Sequence, residues 1–151
     1  MLRTSAGIWR VRLISTVALS AAIGIALGAI GSRSLAQMAA PTEHKGLTVE
    51  TLGKISEDSL KAQVGLEGHI LLLRAITIAP GGQIAKHSHE KVPGLVQVIS
   101  GEWIEGGESG EKAFNADSTT AIIEDKDTVN WFYNRGTEPA TAIVCDIKPA
   151  S

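Results

Sequence analysis

The chain has 151 residues, with 14 Lys/Arg against 16 Asp/Glu and a single cysteine, Cys145. Without residues 1–36, which carry four arginines and no acid, 115 residues remain with 10 basic and 16 acidic side chains, a net charge of −6. That length fits one domain rather than two. An acidic domain with no basic stripe is a poor candidate for binding nucleic acid or anionic lipid, so no nucleic-acid partner is expected, and one thiol excludes an internal disulfide.

Residues 1–36 differ in kind from the rest. Arg3, Arg10 and Arg12 form a positive leader, Leu13 to Ile30 is an uncharged Ala/Ile/Leu/Gly run, and Ser34-Leu35-Ala36 offers small residues where an export peptidase cuts. This predicts a secretory signal cleaved before Gln37 and a periplasmic or secreted protein. Val11 separates Arg10 from Arg12, so the Sec route is expected. The apolar run also approaches the ~20 residues that cross a bilayer. An uncleaved helix anchoring the chain to the inner membrane is the alternative, and membrane association is expected only then. Residues 37–46 are polar and contain Pro41, which predicts a tether with His44 as a solvated linker histidine.

From residue 47 to 151 short β-prone runs alternate with Gly, Pro, Asn and Asp clusters, the pattern of an all-β sandwich or barrel. Strands are expected near 47–51, 69–78, 83–88, 94–100, 102–105, 119–124, 129–133 and 140–147. A single helical turn capped by Ser56 is expected within 55–63. Pro80-Gly81-Gly82 reads as a turn, and Gly106-Gly107 with Gly110 as a hairpin or loose loop. The run His69–Ile78 is apolar on both faces, as in a central strand covered on both sides. Arg74 interrupts it and needs a carboxylate partner or a ligand anion, the structural ion pair being the commoner use. His69 opens that run as a satisfied edge histidine. Cys145 alternates with Ile143 and Ile147 and reads as a structural thiol.

The chemistry concentrates at Gly81-Gly82-Gln83-Ile84-Ala85-Lys86-His87-Ser88-His89 and the following Gly94–Gly101. Histidines at i and i+2 of an extended segment share one side, so their imidazoles can meet one metal ion when further ligands arrive from elsewhere. The aromatic residues Trp103, Trp131, Phe132 and Tyr133 lie close to this region in the expected barrel. Alternation puts Asn130, Phe132 and Asn134 on one face, so that Phe132 lines a pocket beside the histidines. Core packing is the plainer use of all four aromatics. Glu102, Glu105, Glu108 and Glu111 read as a solvated loop face.

This arrangement resembles the cupin superfamily, in particular its small single-domain bacterial members. The first cupin motif runs Gly, five residues, His-x-His, a short spacer, an acidic ligand, six residues and Gly. Here Gly81, His87, His89 and Gly101 fall on that spacing, while Gly94 stands in the acidic position. In the second motif Asn130 stands where a third His belongs, followed by Asn134, and Asp125-Lys126-Asp127 replaces the usual turn. The resemblance covers about residues 47–148. It implies a double-stranded β-helix, or jelly-roll barrel, preceded by the hydrophobic leader helix. It also implies a divalent ion such as Fe, Mn, Ni or Zn, held weakly or not at all by so incomplete a set. His87 and His89, with Asn130 as an oxygen donor, are the candidate ligands. Glu90 and Gln97 join Phe132 as candidate pocket residues, although simple alternation turns both away.

Three functions follow. The first is an exported protein that binds a small molecule, a divalent metal, or both, without turnover. The second is a metal-dependent oxygenase, isomerase or lyase acting on a small organic acid or sugar. The third is a structural module whose aromatic surface serves a homodimer. The His-x-His pair favours the first two, and the missing acid and third His weigh against the second.

Overall fold

A computed structural model describes residues 39–150. The leader, with its cleavage site or anchor, lies outside the described residues.

The chain forms one curled antiparallel sheet of eight strands: β1 (Lys45–Ile55), β2 (His69–Ser88), β3 (Gly94–Ser100), β4 (Glu102–Gly107), β5 (Gly110–Asn115), β6 (Ile122–Glu124), β7 (Val129–Tyr133) and β8 (Ala140–Pro149). The order across the sheet is β5-β4-β7-β2-β8-β3-β6, with β1 paired to the free side of β2. The expected strands are all present, with one addition: Gly110–Asn115 pairs with β4, so the glycine-rich stretch is a hairpin. The one helix among the described residues, α1 (Glu57–Val64), is held by the Ser56 side chain accepting from Ser59 N and ends at Gly65 in the left-handed region. It buries no residue. Among the described residues no helix is long and apolar enough to cross a membrane.

The Pro80-Gly81-Gly82 turn proves to be a corner inside one 20-residue strand. Residues 69–78 of β2 pair with β8, and residues 83–88 pair with β7. Gly81 takes φ +69° there, a conformation that costs side-chain-bearing residues dearly. Asn134 pins the corner: its amide donates to the carbonyls of Ile78 and Glu138 at 2.8 Å each, and its main chain exchanges bonds with Gly81 and Gly82. A strand that changes partners at such a bend is how a sheet curls over its own core.

Strand alternation then sorts the residues. Facing inward are Ile76 and Ile78 of β2, Val96 and Val98 of β3, and Ala140, Ala142 and Val144 of β8, packed with Trp103, Phe114 and Phe132. Trp103 and Phe132 are fully buried with ring centroids 5.1 Å apart, and the Trp103 indole donates to the Ala140 carbonyl at 3.0 Å. Trp131 and Tyr133 on the other face of β7 are buried too. All four aromatics are buried within this chain. The outward rows stay apolar, with Cys145 half-buried between Leu73 and Leu95, and Leu95 paired on its other side with Ile123.

Candidate metal centre

The site begins with an irregularity. Between Ile84↔Phe132 and His87↔Asn130, β2 carries one residue more than β7, a β-bulge at Ala85-Lys86. Plain alternation would put Ile84 and His87 on opposite faces. The bulge turns His87 back to the inward side with Ile84, where it lies 6.5 Å from the Phe132 ring. His89 follows just past the end of β2, where a turn closes through Val92 N donating to the His89 carbonyl. The two imidazoles meet edge-on with centroids 4.7 Å apart.

Both rings are oriented by the main chain. His87 Nδ1 donates to the Ala85 carbonyl at 2.8 Å, and His89 Nδ1 to the Val92 carbonyl at 2.9 Å. Each neutral ring therefore keeps its lone pair on Nε2, the arrangement of a metal-ligating histidine. The third member comes from β6. Glu124 is buried, and the ligand atoms of His87, His89 and Glu124 all lie within 4.8 Å of one another.

The carboxylate's arrival is explained by register. Gly94, in the position where the first motif has its acid, pairs with Glu124 of β6 on one side and with Asp146 of β8 on the other. A Cβ at Gly94 would stand 2.6 Å from Asp146 Oδ1 and 3.3 Å from Glu124 Oε2. Glu124 and Asp146 thus occupy the space a side chain at residue 94 would need, and Glu124 brings a carboxylate to the histidines. Asp146 in turn is ion-paired with Arg74, the partner expected for an arginine in that apolar strand.

Burial pushes the Glu124 carboxyl up to about 7; Asn130 and His87 oppose that rise, and Asp146 and Glu105 add to it. Burial also lowers the His87 imidazole, which favours its neutral, ligating form. His89 Nε2 lies 3.3 Å from Glu124 Oε1 and has no hydrogen-bond donor of its own. Two acceptor atoms so close repel unless a proton or a cation lies between them. Roughly 3 Å is also the separation of two ligand atoms each ~2.1 Å from one ion. The donor set fits a divalent transition metal.

The remaining sequence candidates fall in different places. Phe132 lines the cavity below the histidines. Asn130 donates from Nδ2 to Glu105 Oε1 at 3.0 Å and to Glu124 Oε1 at 3.3 Å, which orients the carboxylate, and its Oδ1 is buried without a partner. Gln97 is outside the cavity, its amide donating to the carbonyls of Val98 and Ser118. Glu90 is exposed on the turn after β2 and also lies outside it. His69 bonds the Glu67 carbonyl, as an edge histidine should. The glutamate cluster is not simply solvated, since Glu105 holds Asn130 and Glu111 makes a two-pronged pair with Arg135. The tether expected over 37–46 is docked over 41–44. Lys86 N donates to the Pro41 carbonyl at 2.8 Å, and His44 Nδ1 accepts from Ala85 N at 3.1 Å, so His44 is no free linker residue.

The cavity that contains the triad measures about 370 Å³. Arg74, Asp146 and His44 share its wall with a lining that is mostly apolar, including Leu47, Val49, Ile84 and Val144. Glu124 and Asp146 escaped the sequence reading. Both are acids in step with buried residues, Ile122 before Glu124 and Val144 before Asp146, and that signal was there to be used.

No family model matches the sequence, and no curated protein matches it significantly. Solved structures do match. A Cupin_2 domain of an XRE family transcriptional regulator from Enterobacter cloacae superposes with a TM-score of 0.52 at 20% identity, over 68% of this chain and 96% of that one. A predicted oxalate decarboxylase from Thermotoga maritima gives 0.53 at 13% identity, over 74% and 96%. A recombinant oxalate oxidase in complex with glycolate gives 0.51 at 17% identity, over 71% of this chain and 53% of that one. At these identities the likeness speaks for architecture alone. The chain has the fold of these cupin-domain proteins.

Proposed function

We propose that this chain is an exported cupin that holds one divalent transition-metal ion on His87, His89 and Glu124 and admits a small molecule to the same cavity. The single observation that carries this reading is the His89 Nε2–Glu124 Oε1 approach of 3.3 Å between two acceptors, with both histidine Nδ1 atoms already committed to main-chain carbonyls. Two imidazoles and one carboxylate suit Fe, Mn, Ni or Zn. Three protein ligands leave coordination positions open, where the ion would polarise a bound oxygen. The chain's own part is to hold the ligands. Ala85 and Val92 fix the two ring tautomers, and Asn130 orients Glu124. Export rests on the positive, apolar leader ending at Ala36, and intact mass of the exported protein reads its fate.

Elemental analysis of the chain purified without a histidine tag tests the metal centre, with a His87→Ala/His89→Ala double variant and Glu124→Gln beside it. One equivalent of metal in the parent, none in the double variant and weakened retention in Glu124→Gln are expected. A parent that neither carries metal nor gains thermal stability from added Mn²⁺, Fe²⁺, Ni²⁺ or Zn²⁺ overturns the reading.

A further inference from the structure

The bulge that aims His87 also frees the main chain of Ala85, and two histidines use it in opposite senses. The Ala85 carbonyl accepts from His87 Nδ1, while the Ala85 N–H donates to His44 Nδ1 at 3.1 Å. One residue therefore selects two tautomers. In His87 the outer atom Nε2 is a lone pair; in His44 it is an N–H. His44 is thus not suited to the metal. It is a hydrogen-bond donor on the wall of the cavity that holds the triad. Its position is built rather than incidental, because buried Pro41 takes the Lys86 N–H and the Glu43 carbonyl takes the Gln83 amide at 2.9 Å.

The charges of the cavity say what such a donor would meet. Arg74 and Asp146 offset each other, and Arg74 Nε has no partner. A divalent ion bound by one carboxylate leaves a single positive charge in a mostly apolar space, and buried charge calls for an opposite charge. We propose that the cavity takes a small monocarboxylic acid with a short apolar body, and that His44 binds it by donating from Nε2 to a carboxylate oxygen. The proposal rests on the metal reading above and adds to it a ligand class and a binding residue. His44 is a specificity residue here, separate from the metal ligands.

The test uses the full chain with butyrate as the probe, and butyramide and 1-butanol as uncharged controls. Co²⁺-loaded protein reports binding through its visible absorption, and long-range ¹H–¹⁵N spectra of the imidazoles, taken with Zn²⁺ and without metal, report the His44 tautomer and its response. Butyrate is expected to bind more tightly than either control and to shift the His44 Nε2 resonance. Loss of a hydrogen bond to a charged group predicts a fall in butyrate affinity of about tenfold or more in His44→Phe. His44→Gln, which keeps a terminal donor, should recover most of it, and both variants should retain the parent's metal stoichiometry. Equal butyrate affinity in the parent and His44→Phe, His44 protonated on Nδ1, or no preference for butyrate over its controls overturns the proposal. A chain that binds no metal yet shows the His44 response to butyrate would sink the metal centre and leave His44 in its role.

Discussion

Two bands of the same inward sheet face make opposite use of the same strands. In one, Ile76, Ala142 and Val98 stand side by side on β2, β8 and β3 and form a dry core with Trp103 and Phe132. Four residues along, the neighbours are Leu72, Asp146, Gly94 and Glu124 on β2, β8, β3 and β6, and the band is acidic. Both lie on positions that strand alternation turns inward, so burial alone does not separate core from site. The difference lies in what each band can satisfy. The first has little polar surface to pair. The second brings carboxylates inside, where Arg74, Asn130 and the histidines must compensate them.

The sharpest way to break this comparison is to damage the dry band. Phe132→Ala removes a fully buried ring that touches both bands and should cost about 3–5 kcal/mol of stability in urea unfolding. A smaller loss would mean the cavity above it collapses to fill the gap.

The acidic band should instead show itself through pH. The folded-state value of Glu124, about 7, lies above its ordinary 4.5, so the folded, metal-free chain binds more protons than the unfolded one between those values. Its contribution to stability is fully present below about 4.5 and lost as pH rises through about 7, amounting to roughly 3 kcal/mol. His87, lowered from 6.5, acts in the opposite sense just below that value and flattens part of the slope. Glu124→Gln should abolish the loss, as followed by thermal melting from pH 4 to 8. A bound divalent ion should reverse the slope, because metal needs the ionised carboxylate.

Removing one member of the Arg74–Asp146 ion pair comes next. Asp146→Ala leaves Arg74 without its carboxylate; a fully buried case costs about 3–5 kcal/mol, and since the Arg74 side chain keeps 25% exposure, about 2–3 kcal/mol is expected. Gly94→Ala tests how tightly the band is filled. Its new Cβ would meet Asp146 Oδ1, and a loss of about 1–2 kcal/mol with weakened metal retention is expected, read by melting and elemental analysis. The smallest effect belongs outside the barrel: Ile123→Thr, at a side chain 70% exposed, should change stability by less than about 0.5 kcal/mol.

Much of the architecture was legible in the residues. Alternation in Ile76–Ile78, Val96–Val98 and Ala140–Val144 assigns an inward face to each strand, and polar turn clusters separate the strands. Gly81, His87, His89 and Gly101 carry the cupin spacing and point to the histidine end. Arg74 in its apolar run calls for an acid. The bulge was not legible, because an extra residue at Ala85-Lys86 matters only against the partner strand, and β7 is some 45 residues away in sequence. The docked strap was not legible either. Thr42-Glu43-His44 reads as a tether until the unpaired main chain of the bulge offers it somewhere to bind.

By itself, then, the sequence determined which side chains face inward on the regular stretches of strand, such as Ile76–Ile78, Val96–Val98 and Ala140–Val144, and which end of the fold carries imidazoles, because period-two burial and glycine turns are local properties. Only the tertiary structure decided that Glu124 and Asp146 flank Gly94, that Asn130 donates to Glu124, and that His44 joins the cavity. Each of those depends on cross-strand register and on which main-chain groups a bulge leaves unpaired, and neither is written in any one segment.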